Sequence, residues 1–338
     1  MAAQGPATLD SVAAHAGVSR QTVSNVLHHP GRVADDTRER VLEAIRETRY
    51  RPSLPARQLA TRRAHAVAVR AERTQDGISG LVLDAFYHGL AEAGQDNGLR
   101  VLLYAQPDDE AAEVALIDEL VATGAADAVV LTATSAVDKR PAHLRDSGTT
   151  FCAFGRPWGH EDEPHDWVDV DGAIGTGLAV RHLLDRGHRR IAYLGWPGDG
   201  DDPSTGTDRR RGWLEALRAS GIAADTIEAR SPNDATSAQS AVAALLGGAG
   251  APDAIVCASD TLALGAHRAA LAAAGTGRPA TVVGFDATPV AEALGLVSVA
   301  QPIDRAAHVC IDLLTRRFET PDQPAQGLLV PPVLHIPS

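Results

Sequence analysis

Cysteine is scarce in this chain: Cys152, Cys257 and Cys310 are the only three in 338 residues, and none forms a Cys-x-x-Cys pair. That spacing supplies neither a thiolate metal clip nor a redox dithiol. Each cysteine lies in an apolar run, so each is expected as a small buried residue. No apolar run approaches the roughly 18 residues of a membrane span. Met1 to Pro6 hold no basic stretch followed by an apolar one, so no secretory signal is expected there. Low-complexity tracts are missing. So are the short motifs of common chemistries: Gly-x-Ser-x-Gly, His-Glu-x-x-His, a Walker loop, and Gly-x-Gly-x-x-Gly after a strand. The expectation is a cytoplasmic protein that is not an enzyme, with no catalytic residues, no cofactor, no metal and no membrane partner.

Negative charge is in excess, with 43 Asp and Glu against 31 Lys and Arg, a net −12. The excess is uneven. Residues 1–65 carry ten Arg and six Asp or Glu, a net +4, which leaves −16 on the remainder. A basic front suits phosphates, and an acidic bulk discourages nonspecific clinging to DNA. The length implies more than one domain.

The front stretch organises the chain. Leu9, Val12, Ala13 and Ala16 fall at helical spacing. Thr8 can cap that helix, because its hydroxyl accepts a backbone N–H with no partner inside the helix. Gly17 suits its end. Ser19 caps a second helix, whose Thr22, Val23, Val26 and Leu27 turn back toward the first. Two short helices joined by a tight glycine turn form a helix-turn-helix. Arg20, Gln21, Ser24 and Asn25 are left outward, with the donors and amides suited to base edges and phosphates. The plain alternative is an ordinary αα-hairpin in a helical core. A third helix is predicted from about Asp36 to Thr48, with Val41, Leu42 and Ile45 inward.

The run Thr8-Leu9-x-x-Val12-Ala13-x-x-Ala16-Gly17-Val18-Ser19-x-x-Thr22-Val23-Ser24-x-Val26-Leu27 is followed by Val33 and Thr37-Arg38-x-x-Val41. Tyr50-x-Pro52-x-x-x-Ala56-Arg57-x-Leu59 comes next. Together these resemble the lactose-repressor (LacI/GalR) family of bacterial transcription regulators. The resemblance implies an all-α helix-turn-helix domain at 1–50, a hinge helix or linker at 51–64, and an α/β bilobal periplasmic-binding-protein-like domain at 65–338. It implies a homodimeric repressor on a palindromic double-stranded DNA operator. The DNA-facing set is then Thr8, Ser19, Arg20, Gln21, Thr22, Ser24, Asn25, Arg32 and Tyr50, with Ala56, Arg57 and Leu59 in the hinge. A hinge segment of seven or eight residues is too short to hold a helix alone in water. In the family it pairs with its mate in the minor groove, and the leucine at Leu59 wedges between base pairs.

From His65 the pattern alternates strands and helices in two similar series, which argues for parallel sheets flanked by helices. The family fold implies three crossings between lobes, placed near 160–168, 299–302 and 320–328. The first lobe is then about 65–164 and 302–324, and the second about 165–300 and 325–338. Asp199–Thr207, rich in Gly and Asp, reads as a mobile loop.

Ligands of open α/β sheets sit beyond the carboxyl ends of strands. Those ends carry Arg156 and Trp158, Trp196, Arg209, Ser259, Asp286 and Gln301. Arginine and carboxylate groups hydrogen-bond adjacent hydroxyls, and indoles cover apolar ring faces. By the resemblance, Arg209 and Asp286 match the main effector-binding pair, and Arg156, Ser259 and Gln301 match supporting positions. A structural Arg209–Asp286 ion pair is the alternative. Asp260 is expected to cap the next helix and His188 to satisfy a buried backbone group. Trp213 stands open between core and ligand stack. The segment Arg70-Ala71-Glu72-Arg73 departs from the family's usual Ser-Asn-Pro-Phe-Phe, and Pro232-Asn233-Asp234 lacks the aromatic often found there. A sugar is the first choice of effector. A purine-type corepressor, or a solute-binding protein without regulatory role, is the alternative.

Overall fold

The computed structural model describes residues 7–28, 30–50, 63–73, 80–160, 164–198, 202–222, 227–276 and 279–337. The chain divides into two compact units, Met1–Ala64 and His65–Ser338.

The front unit is helical: α1 (Leu9–Ala16), α2 (Arg20–His28) and α3 (Asp35–Thr48), with a 3-10 turn at Pro30–Arg32. Thr8 and Ser11 form a reciprocal cap on α1, Thr8 N–H donating to Ser11 Oγ (2.9 Å) and Ser11 N–H to Thr8 Oγ1 (3.2 Å). Gly17 takes φ +65°, and Val18 N–H returns to the Ala13 carbonyl at 3.0 Å. Val12, Ala13, Val23, Val26, Val41, Ala44 and Tyr50 make the core. Leu42 is exposed, and Ala44 takes the inward place predicted for it. The helix ends earlier than Pro52 requires, because Arg49 adopts a left-handed conformation and Tyr50 N–H closes onto Ile45 O at 3.1 Å.

In the larger unit the first sheet runs β11-β5-β4-β3-β1-β2 and the second β12-β10-β9-β8-β6-β7. The first sheet holds β1 (Ala66–Ala71), β2 (Arg100–Ala105), β3 (Ala128–Leu131), β4 (Thr150–Phe154), β5 (Asp166–Val170) and β11 (Gly327–Val330), all parallel. The second holds β6 (Ile191–Gly195), β7 (Glu228–Arg230), β8 (Ala254–Cys257), β9 (Thr281–Phe285), β10 (Val297–Ala300) and β12 (Val333–His335), the last antiparallel. Helices α4 (Gly80–Asp96), α5 (Glu110–Ala122) and α6 (Arg140–Asp146) belong to the first series. Helices α7 (Gly172–Asp185), α8 (Thr205–Ala219), α9 (Ala235–Leu246), α10 (Asp260–Ala273) and α11 (Pro289–Ala293) belong to the second. The last helix, α12 (Ile303–Glu319), returns to pack on α4, β4 and β5.

Two of the three predicted crossings shift. The first lies after Val170, because β5 pairs with β4 in the first sheet. Its Asp166 and Asp169 hid it as a strand: Asp166 is buried where Arg316 and Arg317 of α12 meet it at 3.1 and 2.8 Å. The last lies at Pro331–Pro332, because β11 pairs with β5 and β12 with β10. The middle crossing, at 301–302, falls where the pattern placed it. Thr205–Thr207 open α8, capped by Ser204 Oγ, and are not loop. Residues 199–201 lie outside the described residues.

Candidate effector site and DNA-reading helix

On α2 the inward side is Val23 and Val26, and Arg20 and Gln21 are exposed. Ser19 Oγ accepts Thr22 N–H at 3.1 Å and so starts the helix. Thr22, Ser24 and Asn25 are half-buried. Gln21 Nε2 donates to Asn25 Oδ1 at 3.2 Å, one helical turn on, so the two amides share a face. Among the described residues Arg20 has only a loose partner, Asp10 at 3.9 Å, and both side chains are exposed. Such a pair contributes little, which leaves the guanidinium free to turn to another partner. Thr8 and Arg32 are also exposed. Tyr50 is not: its ring is in the core, and burial raises its phenol pKa. It packs the unit rather than presenting a free side chain. Ala56, Arg57 and Leu59 lie outside the described residues.

In the second lobe the predicted residues converge. Gly212 lets α8 lie against the start of α7, since a Cβ there would collide with the Ala173 backbone. That contact sets Arg209, one turn earlier, under the strand ends. Its guanidinium carbon stands 3.6 Å over the Phe285 ring and 5.5 Å over Trp196. Its Nη1 donates to Ala258 O, at the end of β8. Its Nε is buried with no hydrogen-bond partner among the described residues. Asp286, just past β9, lies 3.9 Å from Arg209, longer than a hydrogen bond. It accepts instead from Gln301 Nε2 at 2.7 Å. Burial pushes the Asp286 carboxyl up to about 7, with Arg209 pulling the other way. Its φ of +120° is a backbone strain kept at the strand end.

Ser259 caps α10 and donates to Asn233 Oδ1 at 2.6 Å. Trp196 Nε1 donates to the same oxygen at 3.1 Å. Asn233, the residue set down as a missing aromatic, thus ties the indole to the site. It follows β7, a strand of three residues that is too short to show in the pattern. Asp260 does not cap α10. It is buried, accepting from Ser298 Oγ (2.6 Å) and Thr288 N–H (2.7 Å), and fastens the Asp286 loop from behind. Gly284 leaves it the room. His188 faces Asp253 at 3.3 Å rather than a buried backbone group. Trp213 is core, stacked on Tyr193 and donating to Ile191 O at 3.2 Å.

The first-lobe residues behave differently. Arg156 gives its donors to Asp169 (2.8 Å), Val170 O (3.4 Å) and Asp208 (3.3 Å). Its Nε and Nη2 are thus held by two carboxylates and a carbonyl of the protein. Trp158 is buried, with the Arg156 guanidinium 4.7 Å over its ring, and is not an open stacking surface. At the ends of β1 and β3, Arg70 and Arg140 converge on Glu113: Arg140 Nη1 at 3.0 Å, Arg70 in a closer ion pair, with Tyr104 O–H donating at 3.0 Å. Arg70 also pairs with Glu72 (2.6 Å) and Arg140 with Asp138 (2.8 Å).

Comparison with known proteins agrees with this two-part build. Residues 8–53 match the model of bacterial regulatory proteins of the lacI family, and residues 180–336 match a periplasmic binding protein-like domain. The transcriptional regulator CelR of Thermobifida fusca is 34% identical over 92% of each chain. A solved complex of the regulator CelR with cellobiose is 29% identical over 98% of each chain, with TM-score 0.71. A lac repressor dimer bound to operator and the anti-inducer ONPF is 23% identical over 98% of each chain, with TM-score 0.78, a likeness of fold. With a helix-turn-helix, two mainly parallel sheets in series and a relative this similar along nearly its whole length, the chain belongs to the lacI family of bacterial regulatory proteins.

Proposed function

We propose that this protein is a homodimeric, DNA-binding transcriptional repressor released from a near-palindromic operator by a sugar, and that it works in the cytoplasm, where that DNA is. The observation that carries the effector half is Arg209. It is a buried guanidinium whose Nε has no partner among the described residues, set between two aromatic faces and opposite a carboxyl held short of a hydrogen bond. A ring with adjacent hydroxyls satisfies both groups at once. Trp196, Asn233, Ser259 and Gln301 complete the polar rim. The related CelR complex with cellobiose supports a sugar as the effector. The CelR name supports regulation as the role.

The DNA half rests on the face of α2 that carries exposed Arg20 and Gln21 and half-buried Asn25, which suits the major groove. In a selection from random duplexes followed by binding titrations, Gln21→Ala is expected to cost about 1–3 kcal/mol at one base position per half-site. Equal weakening on every sequence would reduce Gln21 to a phosphate contact. For the effector, thermal shift against cellobiose, other sugars and purines, then operator binding with the hit, tests the class. A purine hit that tightens operator binding would overturn the sugar reading.

A further inference from the structure

Arg156 and Asp208 meet across the two lobes. Arg156 follows β4 and is anchored on Asp169 of β5, both in the first lobe. Asp208 stands in the first turn of α8 in the second lobe and is buried. Its Oδ1 takes Arg211 Nη2 at 2.6 Å, and its Oδ2 takes Ala173 N–H at 3.1 Å and Arg156 Nη2 at 3.3 Å. A Cβ on Gly172, beside the first crossing, would press on both Asp208 Oδ2 (3.0 Å) and Arg209 Cγ (2.9 Å). The crossing segment, the carboxylate and the effector arginine therefore share one tight packing site.

We propose that Arg156–Asp208 is an ionic latch between the lobes, with Asp208 the positioning residue that ties lobe spacing to the helical turn carrying Arg209. The charges favour a latch that can open. Parting the lobes leaves Arg156 with Asp169 and Asp208 with Arg211, so neither side is stranded as a bare buried charge. Closing adds an attraction strengthened by partial burial. Asp208 and Arg209 are consecutive, so a ligand that draws Arg209 toward Asp286 moves the latch residue with it. The latch does not depend on which effector binds.

Spin-label distance measurement on the full-length, ligand-free chain tests this. Val137→Cys and Leu271→Cys place labels on exposed positions of the first and second lobes, and the three native cysteines are buried. Labelled chain diluted into unlabelled chain reports distances within one protomer. Asp208→Asn keeps an acceptor for Ala173 N–H but offers Arg156 no charge. Arg211→Gln removes a partner of the same carboxylate that lies wholly in the second lobe. Asp208→Asn and Arg156→Gln are expected to shift the distance distribution to longer values, while Arg211→Gln leaves it in place even if its Tm falls. Unchanged distances in folded Arg156→Gln overturn the latch, as does an equal shift in Arg211→Gln. Arg156→Gln decides the matter if Asp208→Asn does not fold. Effector calorimetry is a separate readout, so failure of the sugar reading leaves this result standing.

Discussion

Both lobes bury arginine at the carboxyl ends of a parallel sheet, and they use it differently. In the first lobe Arg70 and Arg140 share Glu113 and each holds a second carboxylate, Glu72 or Asp138. In the second lobe Arg209 donates to one carbonyl, keeps an Nε with no partner among the described residues and stands 3.9 Å from Asp286. A saturated arginine holds structure together. On the function proposed above, an unsaturated one at the same kind of place is an offer to a ligand, because an unmet buried donor costs free energy until something meets it. Burial is alike in the two clusters, and the count of partners differs.

The largest expected effect is on the saturated side. Glu113→Ala leaves two buried arginines without their shared carboxylate and is expected to lower stability by about 3–5 kcal/mol. Thermal unfolding reads this, and a Tm within a degree of the parent would erase the contrast between the lobes. Arg209→Ala and Asp286→Ala make the converse case. Each should keep the fold and operator binding but weaken effector binding by about 1–3 kcal/mol, seen by calorimetry with the sugar found by thermal shift. If both variants instead fail to fold, Arg209–Asp286 is a structural ion pair like those of the first lobe. Cells carrying the folded variants should stay repressed if the effector is an inducer.

An effect of pH is also expected. The Asp286 carboxyl titrates near 7 in the folded chain, against about 4 when unfolded. Between those values the folded chain keeps a proton that the unfolded chain loses, so this residue's contribution to stability falls as pH rises from about 4 to 7. Asp286→Asn should flatten that slope in urea titrations across pH. A sugar hydroxyl donates best to the charged form, so effector affinity should rise through pH 7 and release a proton. Identical binding heats in buffers of different ionisation enthalpy would contradict this. The smallest effect is expected at Asn233→Ala, which frees Trp196 Nε1 and Ser259 Oγ: about 1 kcal/mol of effector affinity, with little change in Tm.

The front unit was legible because its information is local. Thr8, Gly17 and Ser19 act within three or four residues, and the apolar spacing of α1 and α2 needs no distant partner. Leu42 was misplaced because Val41, Leu42 and Ile45 satisfy helical spacing nearly as well as Val41, Ala44 and Ile45, and packing chose the smaller side chain. Tyr50 has a polar tip that suits a phosphate, yet its ring was needed to close the core. The strand ends of the second lobe were readable from Trp196, Arg209, Ser259, Asp286 and Gln301, which each follow or face a strong apolar strand. Asn233 and Asp208 were passed over because their partners lie 26 and 52 residues away.

Sequence by itself determined the helix-turn-helix, the alternation of strands and helices, and the basic front on an acidic body. Those features follow from side-chain periodicity, caps and charge within a short window. Only the tertiary structure decided that β5 and β11 complete the first sheet. It also decided that Arg156 turns to Asp169 and Asp208, and that Arg209 Nε stands buried without a hydrogen-bond partner among the described residues. Each of these depends on which groups from distant segments come within hydrogen-bond reach, and the energy of a buried charge is set by those neighbours rather than by its own residue type.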